Sequence, residues 1–151
     1  MWDGSSTTQI TDNTVSEIHP MISGNNIVWQ SWDGNDEEIY FWDGSTTTQI
    51  TDNATYDGDP AISGSNVVWV AGGGSDSEIY LWDGSNTTQI TDNAIEDREP
   101  AISGNNIVWM GNNGVDYEIY FTTVPEPATG ALLGLGFLAL LRRNNRNRCG
   151  K

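Results

Sequence analysis

The sequence predicts an all-β chain in which one four-stranded antiparallel unit is repeated three times. Trp29, Trp69 and Trp109 stand forty residues apart, as do Trp2, Trp42 and Trp82, and Tyr40, Tyr80 and Tyr120. A strict long period means one supersecondary unit copied along the chain. The stretch Ile-Ser-Gly-Asn-Asn-Ile-Val-Trp at 102–109 has near copies at 22–29 and 62–69. Upstream of residue 127 nothing has helical periodicity; β-branched and aromatic runs alternate with turn residues instead.

The middle copy shows why each element forms. Pro60–Ser63 is a short apolar run, and Gly64-Ser65-Asn66 is turn chemistry, since Gly and Asn tolerate positive φ. Val67–Val70 has strand composition, Ala71–Ser77 is a glycine-rich polar loop, and Glu78–Trp82 is a second strong strand. Asp83-Gly84 is a hairpin signal, and Thr87–Thr91 is a threonine-rich edge strand. Ala94–Glu99 then leads to Pro100. Four short strands in about forty residues is the blade size of a β-propeller. Apolar residues cluster, as in Ile39-Tyr40-Phe41-Trp42, so both faces of the strand need cover. A blade sandwiched between neighbours supplies it.

Composition narrows the function. Hydrophobic content is 36%, with seven Trp and five Tyr, enough to build a core. The net charge of −15 is divided by position: all twenty-one acidic residues lie between Asp3 and Glu126, and Arg98 is the sole basic residue there. A body this acidic repels phosphate backbones, which argues against nucleic-acid binding. The single cysteine, Cys149, allows no intramolecular disulfide, so stability comes from packing.

In the first copy, Pro20, Ile22, Ser23, Gly24, Ile27, Trp29, Asp33, Gly34, Glu38, Ile39, Tyr40, Asp43, Gly44, Ile50 and Thr51 form a pattern that resembles the TolB-like β-propeller repeat. The resemblance covers residues 2–122, with repeats near 2–41, 42–81 and 82–121. It implies a propeller fold and leaves function open, because propellers serve as binding surfaces, gates and scaffolds. The blade number departs from the pattern, since rings close with four to eight. A lone outer strand is expected at Thr7–Thr11, then two full units, then three strands at 100–121. This is the permutation in which an N-terminal strand completes the last blade. Either the chain is part of a longer propeller, or two chains of three blades form a homodimeric six-bladed ring.

Variation between copies is uneven. The turns between strands one and two, and between strands three and four, hardly change. The loops spanning 14–19, 54–59 and 94–99, and those spanning 30–37, 70–77 and 110–117, do change. In an up-and-down blade both variable sets emerge on one face, and binding residues usually sit on loops held by a rigid scaffold. The candidate binding residues on that face are Glu17, His19, Trp32, Asp33, Asp36, Glu37, Asp57, Asp59, Asp76, Glu96, Asp97, Arg98, Glu99, Asp116 and Tyr117. Matrix polysaccharide or a surface protein is the expected partner. Asp33, Asp36 and Glu37 are the best local candidates for Ca²⁺, which takes six to eight oxygens, although their spacing is not that of an EF-hand. No other cofactor is expected. His19, the only histidine, has no partner cysteine, serine elbow or second histidine, so no catalytic set is expected. The alternative is the propeller portion of an extracellular hydrolase or lyase working through loop carboxylates, or a self-assembling surface protein.

Composition changes at residue 122. A Pro-rich linker at 123–127 holds Val124, Pro125, Glu126 and Pro127; an apolar run fills 128–141, and a basic tail at 142–151 opens with Arg142 and Arg143. Fourteen helical residues reach only about 21 Å against a bilayer core of about 30 Å, and snorkelling arginines with local thinning cover part of the difference. The arginines belong in the cytoplasm by the positive-inside rule, which puts the acidic body outside it. The order Pro-Glu-Pro, short apolar helix, arginine cluster resembles the PEP-CTERM sorting signal of Gram-negative bacteria. That resemblance implies export, anchoring in the inner membrane through 128–141, processing by an exosortase, and delivery to the cell surface or an exopolysaccharide matrix. The start, Met1-Trp2-Asp3-Gly4, has no basic region or apolar run and falls in mid-repeat, so a chain lacking its N-terminal part is expected.

Overall fold

The computed structural model describes residues 4–125, and in them eleven strands form three antiparallel sheets. The first sheet is β1 (Glu17–Ser23), β2 (Asn26–Trp32), β3 (Glu37–Trp42) and β4 (Thr47–Gln49), in that spatial order. The second repeats it with β5 (Asp57–Ser63), β6 (Asn66–Ala71), β7 (Glu78–Trp82) and β8 (Thr87–Gln89). The third has only β9 (Asp97–Ser103), β10 (Asn106–Asn112) and β11 (Tyr117–Thr123). First strands lie beside first strands, β1 against β5 and β5 against β9, as in propeller blades arranged about an axis. Glu126, Pro127, Arg142, Arg143 and the expected 128–141 helix lie outside the described residues.

Three boundaries differ from the sequence reading. β2, β6 and β10 run on to Trp32, Ala71 and Asn112, while β3 and β11 start at Glu37 and Tyr117, so Trp32, Glu37 and Tyr117 are strand residues rather than loop residues. The outer strands are three residues long, because the Ile-Thr that follows turns inward. Thr51 Oγ1 accepts the Ile39 N–H at 2.8 Å, and Thr91 Oγ1 accepts the Ile79 N–H at 2.8 Å. The first strand of each blade starts three residues before its proline, so Glu17, His19, Asp57, Asp59, Asp97, Arg98 and Glu99 are strand residues rather than loop residues. The expected strand at Thr7–Thr11 is not in any sheet; residues 4–10 are exposed.

The core lies between blades. Val28, Ile39 and Phe41 of the first blade pack on Ile62, Val67 and Trp69 of the second. Val68, Val70, Ile79 and Leu81 pack on Ile107 and Trp109 of the third. Each strand thus sends alternate residues to opposite neighbours, which explains why both its faces are apolar. Phe41 meets Trp82 edge-on at 5.1 Å across the first of these interfaces. The unchanging Ser-Gly turn is an inter-blade staple: Ser23 Oγ accepts the Gly64 N–H at 2.9 Å, and Ser63 Oγ accepts the Gly104 N–H at 2.9 Å. The Asp-Gly-Ser turn is fixed locally. Asp43 Oδ1 accepts the N–H groups of Thr46 and Ser45 at 2.8 Å each, which hold its carboxyl below the ordinary range, while Gly44 takes φ +99.

Within each blade the tryptophan stacks on the tyrosine opposite it, Trp29 on Tyr40 at 6.0 Å and Trp69 on Tyr80 at 5.9 Å. A buried carboxylate then locks the indole. Trp69 Nε1 donates to Asp57 Oδ1 at 2.7 Å, and Trp109 Nε1 to Asp97 Oδ1 at 3.1 Å. Asn53 and Asn93 donate to the second oxygens of the same aspartates. The first blade carries Glu17 in that place. Its Oε1 takes the Asn13 donor at 2.6 Å, but Trp29 Nε1 and Glu17 Oε2 are buried without a hydrogen-bond partner among the described residues. Glu17→Asp is expected to restore the third Trp–Asp bond and add about 1 kcal/mol. A urea midpoint that stays put or falls would show that the extra methylene is not what leaves Trp29 unpaired.

Candidate binding face

The loops after the second strand of a blade meet those that lead into that blade, at one end of the blades: β6–β7 meets β4–β5 and β8–β9, and β10–β11 meets β8–β9. Gly72 N–H donates to Tyr56 O at 2.8 Å, Asn112 N–H to Glu96 O at 2.9 Å, and Asp97 N–H to Ser77 O at 2.9 Å. The variable segments therefore share one face. The opposite face carries the uniform turns, and β11 runs toward it: Val124 N–H donates to Asn105 O at 2.8 Å there, and Val124 packs on the core between the second and third blades. The described residues thus end at the uniform face.

Near the axis the variable face carries a repeated backbone feature. His19, Asp59 and Glu99 all have φ 51, each next to a register shift in the first-strand pairing and each preceding a proline. Proline disfavours right-handed helical φ/ψ for the residue before it, and a left-handed conformation costs a non-glycine residue about 1–3 kcal/mol. Bulges of this kind re-aim a side chain. Here they aim three ionisable groups at equivalent places on the inner strands.

Around the first two, a polar set forms. His19 Nδ1 lies 3.0 Å from Gln30 Oε1 and 3.4 Å from Asp59 Oδ1. The Asp59 N–H donates to Gln30 Oε1 at 3.2 Å, and Gln30 Nε2 reaches the Tyr56 hydroxyl at 3.5 Å. Tyr56 crosses closely over Gly58, where a Cβ would sit 2.1 Å from its hydroxyl. Burial raises the Tyr56 phenol, and Asp59 raises it further, so it stays a neutral donor. Gln30 and Tyr56 were not among the candidates from sequence. Gln30 was visible in principle, as a glutamine where the other copies carry Val70 and Met110.

A cleft of about 360 Å³ continues from Tyr56 and Asp59 past the Gly72–Gly74 loop to Glu96 and Arg98. Arg98, the sole lysine or arginine between residues 4 and 125, lies with its guanidinium carbon 3.9 Å from the Tyr117 ring centroid, and Nη1 is 3.6 Å from Glu96 Oε1. Tyr117 donates its hydroxyl to Glu96 Oε2. Arg98 Nε is buried without a partner among the described residues. A half-buried ion pair this close to solvent contributes about 0–1 kcal/mol, so it positions the arginine more than it stabilises the fold.

The remaining candidates separate. Trp32, Asp33, Asp76, Glu99 and Asp116 are exposed on this face, and Asp36 and Glu37 are half-buried. Asp57 and Asp97, expected on loops, are in the core as the indole locks described above. The acidic set also differs from expectation. Asp33, Asp36 and Glu38 bring carboxylate oxygens within 4.8 Å of one another. Glu37 is replaced by Glu38, because neighbouring strand residues point to opposite faces. Asp33 Oδ1 already accepts the Asn35 and Asp36 N–H groups, and Glu38 Oε1 accepts the Asn53 N–H. Burial pushes the Glu38 carboxyl up despite the donors from Thr51 and Asn53, and Asp57 and Asp36 raise it further.

The fold and the tail each have counterparts. Residues 123–147 match the PEP-CTERM protein-sorting motif family. The described residues resemble the β-propeller domain of the Trilobed protease from Pyrococcus furiosus, reported to have an open velcro topology, at 15% identity and TM-score 0.66. That match covers 80% of this chain and 39% of the other. The chain also resembles Pyrococcus horikoshii acylaminoacyl peptidase at 16% identity and TM-score 0.62, over 93% of this chain and 23% of that one. The chain thus spans about two fifths of the first and under a quarter of the second, and at these identities the likeness shows the fold alone. No curated relative matches the sequence. The class is therefore a chain of β-propeller blades. Its particular character is a PEP-CTERM signal, which marks it for export, membrane-anchored sorting and processing by exosortase.

Proposed function

We propose that this chain is a non-catalytic binding protein of the cell surface or extracellular matrix, and that the variable face holds its ligand. One observation carries the reading. Val124, at the start of the matched sorting segment, lies at the uniform face, and a membrane anchor following on from it would direct the variable face away from the membrane. The ligand class follows from the side chains. Carboxylates of Asp59, Glu96 and Glu99 and the Tyr56 hydroxyl, which the buried Gln30 amide holds in place, accept and donate hydrogen bonds of the kind sugar hydroxyls make. Tyr117 and Arg98 supply a partly apolar wall. Net negative charge on the face disfavours acidic polymers, so a neutral matrix polysaccharide fits best. No metal is required by this reading.

The test is an array of neutral oligosaccharides presented to the detergent-solubilised full chain. Asp59→Asn combined with Arg98→Ala is expected to weaken binding at least tenfold, while Asn25→Ala on the uniform face leaves it unchanged. Equal loss from both would remove the variable face as the site. Release of new reducing ends from a bound glycan would replace binding with hydrolysis, and retention of a surface protein instead of any glycan would change the ligand class.

A further inference from the structure

The third blade is short by one strand, and the chain carries a spare. The outer strands of the complete blades are both Thr-Thr-Gln, Thr47–Gln49 and Thr87–Gln89. β11 ends its sheet with nothing paired to its outer edge among the described residues. A further Thr-Thr-Gln stands at 7–9, forty residues before the first of these, exposed and outside every sheet. It cannot serve its own third blade. Residues 10–13 and Val15, which follow it, line a hollow with Trp29, Tyr40 and Thr47, on the side of the first blade that faces away from the second. The whole middle blade lies between that segment and β11.

The two outer faces match each other in the same way. Positions that the next blade covers are Val28, Ile39 and Phe41 in the first blade, exposed 0%, 0% and 6%, and Val68, Ile79 and Leu81 in the second, 0%, 0% and 3%. Their counterparts in the third blade, Val108, Ile119 and Phe121, are exposed 37%, 73% and 63%. On the other side Ile62 is 9% exposed under the first blade, whereas Ile22 is 68% exposed. Ile22, Val108, Ile119 and Phe121 each repeat a position that another blade of this chain already covers, although Trp29, the counterpart of Trp69, is already buried at 4%. The Ser-to-Gly staples also stop one short at each end, at Ser103 and Gly24.

We propose that a second copy of this chain covers the third blade. Thr7–Gln9 of the second copy adds to the edge of β11 as the missing fourth strand. The first blade of that copy then seats on Ile119 and Phe121, with its Trp42 against Phe121 as Trp82 lies against Phe41. A head-to-tail contact of this kind forms a ring or a filament. Two copies give six blades, within the range at which propellers close, so the two contacts close a ring. This inference is independent of the ligand reading, which could fail without touching it.

The register specifies the experiment. Trp42 pairs with Thr47 in the first blade, so Thr122 should pair with Thr7 of the other copy. Opposed Cβ atoms in an antiparallel pair lie about 4.5–5.5 Å apart, a separation a modest shift closes into a disulfide. In the detergent-solubilised full chain carrying Cys149→Ser, Thr7→Cys and Thr122→Cys, oxidation is expected to give a covalent dimer with no free thiol. The offset pair Gln9→Cys with Thr122→Cys should cross-link several-fold less. A monomer, or a ladder of polymers without end, overturns the proposal. Detergent-corrected light scattering on the unsubstituted chain is expected to give twice the 16.5 kDa of one chain. Phe121→Asp, at a position exposed within a single chain, should return it to one. A mass of one chain before substitution, or a dimer that survives Phe121→Asp, overturns it as well.

Discussion

Replacing Trp69 with alanine is expected to destabilise the protein by about 3–5 kcal/mol, the usual loss for a large buried aromatic. Trp69 is 1% exposed, stacks on Tyr80, and closes the interface in which Val28, Ile39 and Phe41 are buried. Its removal opens a cavity at the junction of two blades and strands the Asp57 carboxylate, which loses its indole donor at 2.7 Å. Domain stabilities of about 5–15 kcal/mol leave little margin for such a loss. Trp69→Phe separates the two effects, keeping most of the bulk and losing the bond, so an intermediate cost is expected. Trp32→Ala, at a residue 44% exposed on the variable face, should cost under about 1 kcal/mol. Urea midpoints measure all three. Equal costs for Trp69→Ala and Trp32→Ala would mean that the inter-blade core does not hold the blades together.

Stability is expected to fall as pH rises from about 4 toward neutrality. Burial raises the carboxyls of Glu38 and Asp57 above their ordinary values, in Asp57 against the donors from Asn53 and Trp69. A raised carboxyl binds its proton more tightly in the folded chain than in the unfolded one. Its contribution is complete below the ordinary carboxylate range and is lost as pH climbs through the folded value. The exposed turn aspartates Asp43 and Asp83 shift the other way, but in full contact with solvent they weigh little. Glu38→Gln preserves an acceptor for the Asn53 N–H and removes the buried charge. It is expected to add about 1–2 kcal/mol at pH 8 and almost nothing at pH 4. Melting temperatures across that range check it, and a gain of equal size at both pH values would exclude Glu38 as the source of the pH dependence.

Blade number, strand order and the separation of uniform from variable turns were legible because they depend on local chemistry repeated at a fixed period. Asp-Gly-Ser turns and Ser-Gly hairpins announce themselves by residue type, and forty-residue spacing fixes their order. The candidate site was legible only in part. Its acidic residues read alike in sequence, yet Asp57 and Asp97 hold indoles in the core, while Asp59 and Glu99, two residues further on, face the axis. A one-residue bulge before each proline makes that difference, and no residue type signals it. Gln30 and Tyr56 were missed for a related reason, since their roles come from a neighbouring blade rather than from their own segment.

By itself the sequence determined the repeat, the all-β blades, the acidic body and the sorting signal, because each rests on composition, period or order along the chain. Only the tertiary structure decided which carboxylates are buried, at which face Val124 lies, and which apolar faces stay bare. Those outcomes depend on what packs against a residue from forty positions away, and on a strand's alternation between two neighbours.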